Sequence, residues 1–340
     1  MKRRGVTVLV GCVLLALLVL QLGRVRVSYV ELGPGPTVDT LGKSDNKPII
    51  SVTGAPTSTS AGQLRLVTVS VQPDLTLFDA VRGWWDSNAA VVPRELIYPP
   101  DKTEKQVDAE NAQDFAASQT SAETAALREL GYPVDVTITQ LTAGYPAASV
   151  LAVGDVIVSV DGTKVTSARS LSTLVRAKSA GVPHEIVYRR GTATATATVN
   201  TAKGDDGAAR LGVVVEQRQP HPFTLKIDLD KIGGPSAGLM FTLGIIDTLQ
   251  PEDLTGGATI VGTGTIDDDG NVGPIGGIQQ KLVAAKDAKA KVFLTPADNC
   301  AEALASAQPG LPLVKVATLD DALNALRALR EHRTPPLCTR

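Results

Sequence analysis

Three cysteines in 340 residues are too few for a disulfide framework, and they form no zinc-binding pattern. Cys12 falls in a hydrophobic N-terminal run, which leaves Cys300 and Cys338 as the only pair outside it; their pairing is open at this level. No excess of charge exists either. The 33 basic and 35 acidic residues give a net charge of -2, so no global field draws the chain to nucleic acid or to an anionic bilayer. No G-x-x-x-x-G-K-S/T loop occurs, so no cradle for the phosphates of ATP is present. No cofactor and no metal are expected. Partners must therefore be read from local sites.

What is present begins with location. Lys2, Arg3 and Arg4 precede an apolar run from Gly5 to Gly23 that Arg24 and Arg26 close, close to the roughly 20 residues a helix needs to cross a bilayer core. The run is long for the core of a cleaved signal, and no small-x-small cleavage site precedes Arg24. A retained anchor over residues 1–24 is the expectation, with the bulk of the chain outside the cytoplasm. Leu9-Val10-Gly11-Cys12 spells a lipoprotein-like box, but the apolar run continues past the cysteine.

Behind it, Arg26 to Val30 alternates like a short strand that Gly33-Pro34-Gly35-Pro36 should break. Leu64 to Val71 is a second strand candidate, and Leu75 to Trp85 is helical, with Trp84-Trp85 read as a core anchor rather than an interfacial pair. Ala109 to Leu130, without proline or glycine, predicts a long helix stopped by Gly131. From Val134 to Asn200 short strands dominate, at Val134 to Leu141, Val156 to Val160, Glu185 to Arg189 and Thr192 to Val199, with a helix over Ala168 to Lys178. Thr201 to Ala208 reads as a linker or long turn, and Thr334-Pro335-Pro336 as part of a frayed tail.

The chemistry lies further on. Lys231-Ile232-Gly233-Gly234-Pro235-Ser236-Ala237-Gly238 is a tight turn leading into the apolar stretch Leu239 to Ile246. It would set the Ser236 hydroxyl among free backbone N–H groups at a helix start, where an oxyanion is stabilised. Gly-Pro-Ser before a helix is also ordinary capping chemistry, so the motif alone decides little. A second glycine-rich turn, Gly273-Pro274-Ile275-Gly276-Gly277, opens a helix carrying Lys281. Ile278, Ala284 and Ala285 share its face. Burial there would lower the lysine pKa and make it a base for a serine hydroxyl.

Two resemblances join these observations. Tyr145-Pro146-Ala147-Ala148, Leu151, Gly154-Asp155-Val156-Ile157 and Val160-Asp161-Gly162 resemble the PDZ family, which implies a small β-rich domain that binds peptides by strand addition. Gly234-Pro235-Ser236-Ala237-Gly238, Thr263-Gly264 with Ile266, Pro274 to Gly277 through Lys281, Pro296 to Asn299, Val314 to Val316 and Leu319 to Arg330 together resemble the proteolytic domain of Lon proteases. That resemblance implies Ser236 as nucleophile and Lys281 as base. It places Thr263 beside the pair, with Gly234, Pro235 and Ala237 supporting the serine. Gly233 and Thr265 stand where Lon commonly has acidic residues, and only His221 could answer to the histidines that precede the Lon serine. The combination with an anchor is similar to bacterial membrane peptidases of the YlbL type.

The expected fold class is thus multidomain: an N-terminal transmembrane helix, a small β-rich PDZ-like domain and an α+β Lon-type proteolytic domain. The expected boundaries are residues 1–24 for the anchor, 25–131 for a membrane-proximal α/β region, 132–200 for the PDZ-like domain, 209–332 for the Lon-type domain and 333–340 for the tail. The expected activity is ATP-independent serine endopeptidase cleavage of peptides or unfolded protein, with a homo-oligomer left open. Two other readings stand beside it. Gly234 to Gly238 also fits the G-x-S-x-G elbow of α/β-hydrolases, but only His332 follows the serine, and His184 precedes it. A scaffold with an inert Lon-like domain is the non-enzymatic alternative.

Overall fold

The chain, described by a computed structural model over residues 2–229 and 232–339, divides into two compact units. One is Met1–Glu123 together with Leu225–Arg340, the other Thr124–Thr224.

The first unit is built on a six-stranded sheet in the order Leu313–Val316, Val292–Pro296, Thr259–Gly262, Gln63–Gln72, Tyr29–Asp39, Ala90–Pro93. Neighbours among the first four strands are parallel and the last two pairs are antiparallel. The parallel part is strongly apolar, with every residue of Val292–Pro296 buried, as a sheet covered on both faces requires. The helix Gly238–Leu249 is buried from Gly238 to Asp247, which makes it a core helix rather than a surface one. Leu319–Arg330 starts where expected, because Thr318 and Asp321 form a reciprocal cap.

Several expectations are corrected here. No helix among the described residues is long and apolar enough to cross a membrane, so the expected N-terminal transmembrane helix falls. The helix Lys2–Leu22 has 21 residues, but its first three are charged and Gln21 interrupts its end. The stretch from Gly5 to Leu20 rises about 24 Å at 1.5 Å per residue, short of the about 30 Å of bilayer hydrocarbon.

Gly33 to Pro36 does not end its strand either. Tyr29–Asp39 runs through it, because a register shift between Pro34 and Thr37 places the prolines where the ladder is already interrupted. Trp84 and Trp85 are exposed rather than in the core. The tail is stitched, not frayed: Lys315 N–H donates to Pro336 O at 3.0 Å, Cys338 N–H to Leu313 O at 2.8 Å, and Cys300 and Cys338 form a disulfide. The tail thereby covers the open edge of Leu313–Val316.

The second unit carries an antiparallel sheet in the order Ala193–Val199, His184–Arg190, Val156–Val160, Asp135–Leu141, Val213–Arg218. Its last strand lies beyond Thr201 to Ala208, a stretch that folds back through the small pairing of Ala202–Lys203 with Ala209–Arg210. Asp161 and Gly162 both take positive φ, at 50° and 77°, and turn Val156–Val160 into Thr163–Lys164 as a two-residue hairpin. Leu171 and Val175 of the helix Ala168–Arg176 pack on Ile138, Ile157, Val160 and Ile186.

Candidate active site

Ser236 lies in the turn just before the helix Gly238–Leu249, half-buried, and lines a cleft of about 820 Å³ together with Lys281. Its carbonyl is held twice, accepting from Gly264 N–H at 2.9 Å and from Thr263 Oγ1 at 3.0 Å. The N–H groups of Gly234, Leu239, Met240 and Phe241 already donate to backbone carbonyls, which leaves those of Ser236, Ala237 and Gly238, ahead of the i→i−4 ladder, to meet an anion.

Lys281 stands one turn into the helix Ile278–Asp287 and is 3% exposed. Its Nζ donates to Thr263 Oγ1 at 3.1 Å. Burial alone pushes its pKa from 10.5 down to about 8, and no carboxylate offsets that. Among the described residues no hydrogen bond joins Ser236 Oγ to Lys281 Nζ; Thr263 links the two residues instead. Because the Thr263 hydroxyl gives its proton to the Ser236 carbonyl, its lone pairs face the lysine.

The turn before Lys281 is fixed by an amide clamp. Asn299 Oδ1 accepts from Ile275 N–H and Asn299 Nδ2 donates to Ile275 O, both at 2.9 Å. Gly277 then enters the helix at φ 68°, and a Cβ there would lie 2.6 Å from Val69 Cγ2. Only glycine meets both conditions.

The turn carrying Ser236 is held from the helix Glu104–Glu129. Gly234 N–H donates to Asn111 O at 2.8 Å and Ser118 Oγ donates to Pro235 O at 3.0 Å. Phe115 meets Phe241 edge to face, with ring centroids 5.7 Å apart. The cleft also has a strand along its wall. Gln63–Gln72 pairs with Tyr29–Asp39 up to Gln72, but with Thr259–Gly262 only over Gln63 to Leu66. Val67 to Val71 line the cleft with one edge unpaired by any described strand.

The structure thus brings Ser236, Lys281, Thr263, Gly234, Pro235 and Ala237 together. Ala237 closes the first helical turn, accepting from Met240 N–H and Phe241 N–H. Thr265 lines the cleft and Gly233 is exposed beside it; Lys231, first in the motif, lies outside the described residues. His221 is elsewhere, in an aromatic cluster with Tyr132 and Phe223 of the second unit. His184 is buried in that unit against Asp161, 2.6 Å away. His332 is exposed and lines no part of the cleft, so the Ser-His-Asp reading has no histidine to use. Asn111, Ser118 and the edge Val67 to Val71 carried no sequence signal, since their roles depend on contacts more than a hundred residues distant in the chain.

Residues 230–327 match the Lon protease (S16) C-terminal proteolytic domain. Residues 107–201 match the PDZ domain family, so the chain carries a Lon-type proteolytic domain and a PDZ domain. Lon protease 1 of Sorangium cellulosum is 33% identical over 37% of this chain and 16% of its own length. Lon protease 2 of Bacillus subtilis is 33% identical over 28% of this chain and 17% of its own length. Lon protease of Koribacter versatilis is 32% identical over 27% and 11% respectively. The chain therefore spans less than a fifth of each of these relatives. Among solved structures, the PDZ domain of the SdrC-like protein from Listeria monocytogenes is 25% identical, covering 24% of this chain and 85% of that one with a TM-score of 0.23. The corresponding Listeria innocua domain gives 25%, 26%, 99% and 0.24. Ser236, Thr263, Lys281 and Asn299 lie within the Lon-type match, whereas Asn111 and Ser118 precede it.

Proposed function

We propose that this protein is a serine endopeptidase in which Ser236 is the nucleophile and Lys281 the general base. The observation that carries the reading is Lys281 itself, a buried lysine without an acidic partner, joined through Thr263 to the backbone of a serine at a helix start. Neutral Lys281 takes the Ser236 hydroxyl proton as Oγ attacks the scissile carbonyl carbon, and the carbonyl electron pair moves onto oxygen, where backbone N–H groups meet it. Lys281 then passes its proton to the departing amine. Water hydrolyses the acyl-enzyme by the same exchange.

The unpaired edge of Val67 to Val71 suits a substrate bound as an extended strand, which favours flexible peptides and unfolded segments over folded protein. ATP has no place in this scheme. The PDZ domain offers a second groove of about 380 Å³, lined by Leu171, Ser172, Val175 and Gly212 to Val215, in which a longer substrate would dock. The Cys300–Cys338 disulfide supports action in an oxidising compartment outside the cytoplasm.

The test is incubation of the purified chain with an unfolded protein, a peptide library and a serine-directed fluorophosphonate, beside Ser236→Ala and Lys281→Ala. Cleavage and labelling lost in both variants, without loss of folding, is the expected result. Neither cleavage nor labelling by the native chain would favour an inert scaffold instead.

A further inference from the structure

The helix Leu77–Trp85 is inside out. It buries only Ala80 and Gly83 and exposes Phe78, Val81, Trp84 and Trp85 by 49%, 37%, 57% and 84%. Gly83 permits this, because a Cβ there would lie 2.7 Å from Val91 Cγ2 and 2.8 Å from Glu31 Oε2. The helix therefore rests on the sheet through its two smallest residues. At about 100° per residue, Phe78, Val81 and Trp85 form one stripe opposite that contact, the reverse of an ordinary amphipathic surface helix. Nor is the helix a loose end, since Thr76 and Asp79 close a reciprocal cap at its start.

The apolar surface extends beyond this helix. Leu77 N–H donates to Val25 O at 2.8 Å and Val27 N–H to Leu75 O at 3.0 Å. Exposed Val25 is thereby tied to the start of this helix, and the helix Lys2–Leu22, which touches it, carries further exposed apolar side chains, Val13, Leu14 and Leu17 among them. Arg24, Arg26 and Arg82 are exposed alongside. A convex stripe of Trp, Phe and Val on one helix, with exposed Arg24 and Arg82 near it and Arg26 paired with Asp74, offers no groove for a partner helix or strand. It matches the boundary between lipid headgroups and acyl chains, where indole rings and guanidinium groups each find their preferred surroundings.

We propose that the face formed by Phe78, Val81 and Trp85 docks on a lipid bilayer surface, with the helix lying in the plane of that surface. The contact needs no helix that crosses the bilayer. Gln279, two residues before Lys281, donates through Nε2 to Ser87 O at 3.0 Å. Docking therefore holds the cleft close to polypeptide segments at the bilayer surface, a consequence that rests on the protease reading, although the docking itself does not.

Trp84 and Trp85 are the only tryptophans, so the intrinsic fluorescence of the full chain reports on this helix alone. With vesicles of phosphatidylcholine and phosphatidylglycerol the emission should move to shorter wavelength, and lipids brominated on their acyl chains should quench it. Val81→Asp and Phe78→Asp, each on the exposed stripe, should lose both responses with an unchanged thermal midpoint. Emission that stays at its water-exposed position, or an equal shift in the aspartate variants, overturns the proposal. A blue shift that grows with protein concentration without vesicles overturns it too, and names a second copy of the chain as the occupant.

Discussion

Lys281 Nζ donates to Thr263 Oγ1 at 3.1 Å, and that hydroxyl passes its own proton to the Ser236 carbonyl at 3.0 Å. The threonine thus orients the lysine amine and the Ser236 backbone with one group. Thr263→Val keeps the shape and removes the hydroxyl. It should lower kcat by about 10- to 100-fold with little change in KM, a loss on the order of 1.5–3 kcal/mol in the transition state. An ammonium loses more than an amine when its acceptor goes, so the kinetic pKa should fall as well. Thr263→Ser should restore both kcat and the pH profile.

The pH dependence follows from the buried lysine. Only its neutral form can take the serine proton, so kcat/KM should rise about tenfold per pH unit up to its pKa of about 8 and then level off. A profile that is flat between pH 6 and 9 would remove Lys281 from the base role.

The same lysine costs stability. Below about pH 8 the folded chain buries an ammonium that the unfolded chain leaves in water, and the penalty is complete there. As pH rises toward 10.5 the unfolded state binds more protons than the folded state, so stability increases through that window. The separation corresponds to about 3 kcal/mol. Lys281→Met should therefore raise the thermal midpoint at pH 7, and its advantage should shrink as the midpoint is measured nearer pH 10.

Ser118 reaches the turn carrying Ser236 from a helix outside the Lon-type match. Ser118→Ala leaves the carbonyl of exposed Pro235 without its protein donor in a part-buried setting, at a cost of about 0.5–1.5 kcal/mol. Urea unfolding should show the loss, and kcat should fall more than KM rises because the turn loses its preferred orientation. Ser118→Thr should recover part of each.

Cys300 and Cys338 close a loop with a sequence separation of 38, for which chain entropy suggests roughly 4 kcal/mol. Their sulfurs sit in the cluster that holds Ile278 and Leu282 of the Lys281 helix. Paired replacement by serine should lower stability by about 2–4 kcal/mol and shorten the lifetime of activity at elevated temperature, measured with and without reductant.

Much of the candidate site was legible because its chemistry is local. Gly234 to Gly238 and Gly273 to Lys281 are short glycine-marked turns, and the burial of Lys281 follows from the small residues on its own helix face. The supports were hidden because they come from far along the chain. Asn111 and Ser118 sit on a helix whose composition shows only that it is long, and nothing in Leu64 to Val71 says which part of its edge stays unpaired. Trp84 and Trp85 were misplaced because hydrophobicity predicts burial only when the packing partner has room, and here Ala80 and Gly83 take that contact. The proline-rich stretch was misread because a register shift removes the ladder bonds that proline cannot make.

The six-stranded sheet draws three strands from residues 29–93 and three from residues 259–316, with the whole of Thr124–Thr224 between them in the chain. On a ribosome the early strands emerge first and must wait, with the edge of Gln63–Gln72 open, until Thr259–Gly262 appears nearly two hundred residues later. The PDZ domain can fold during that interval; the catalytic unit cannot. The exposed early strands are therefore where a chaperone or an aggregating neighbour would meet the nascent protein first.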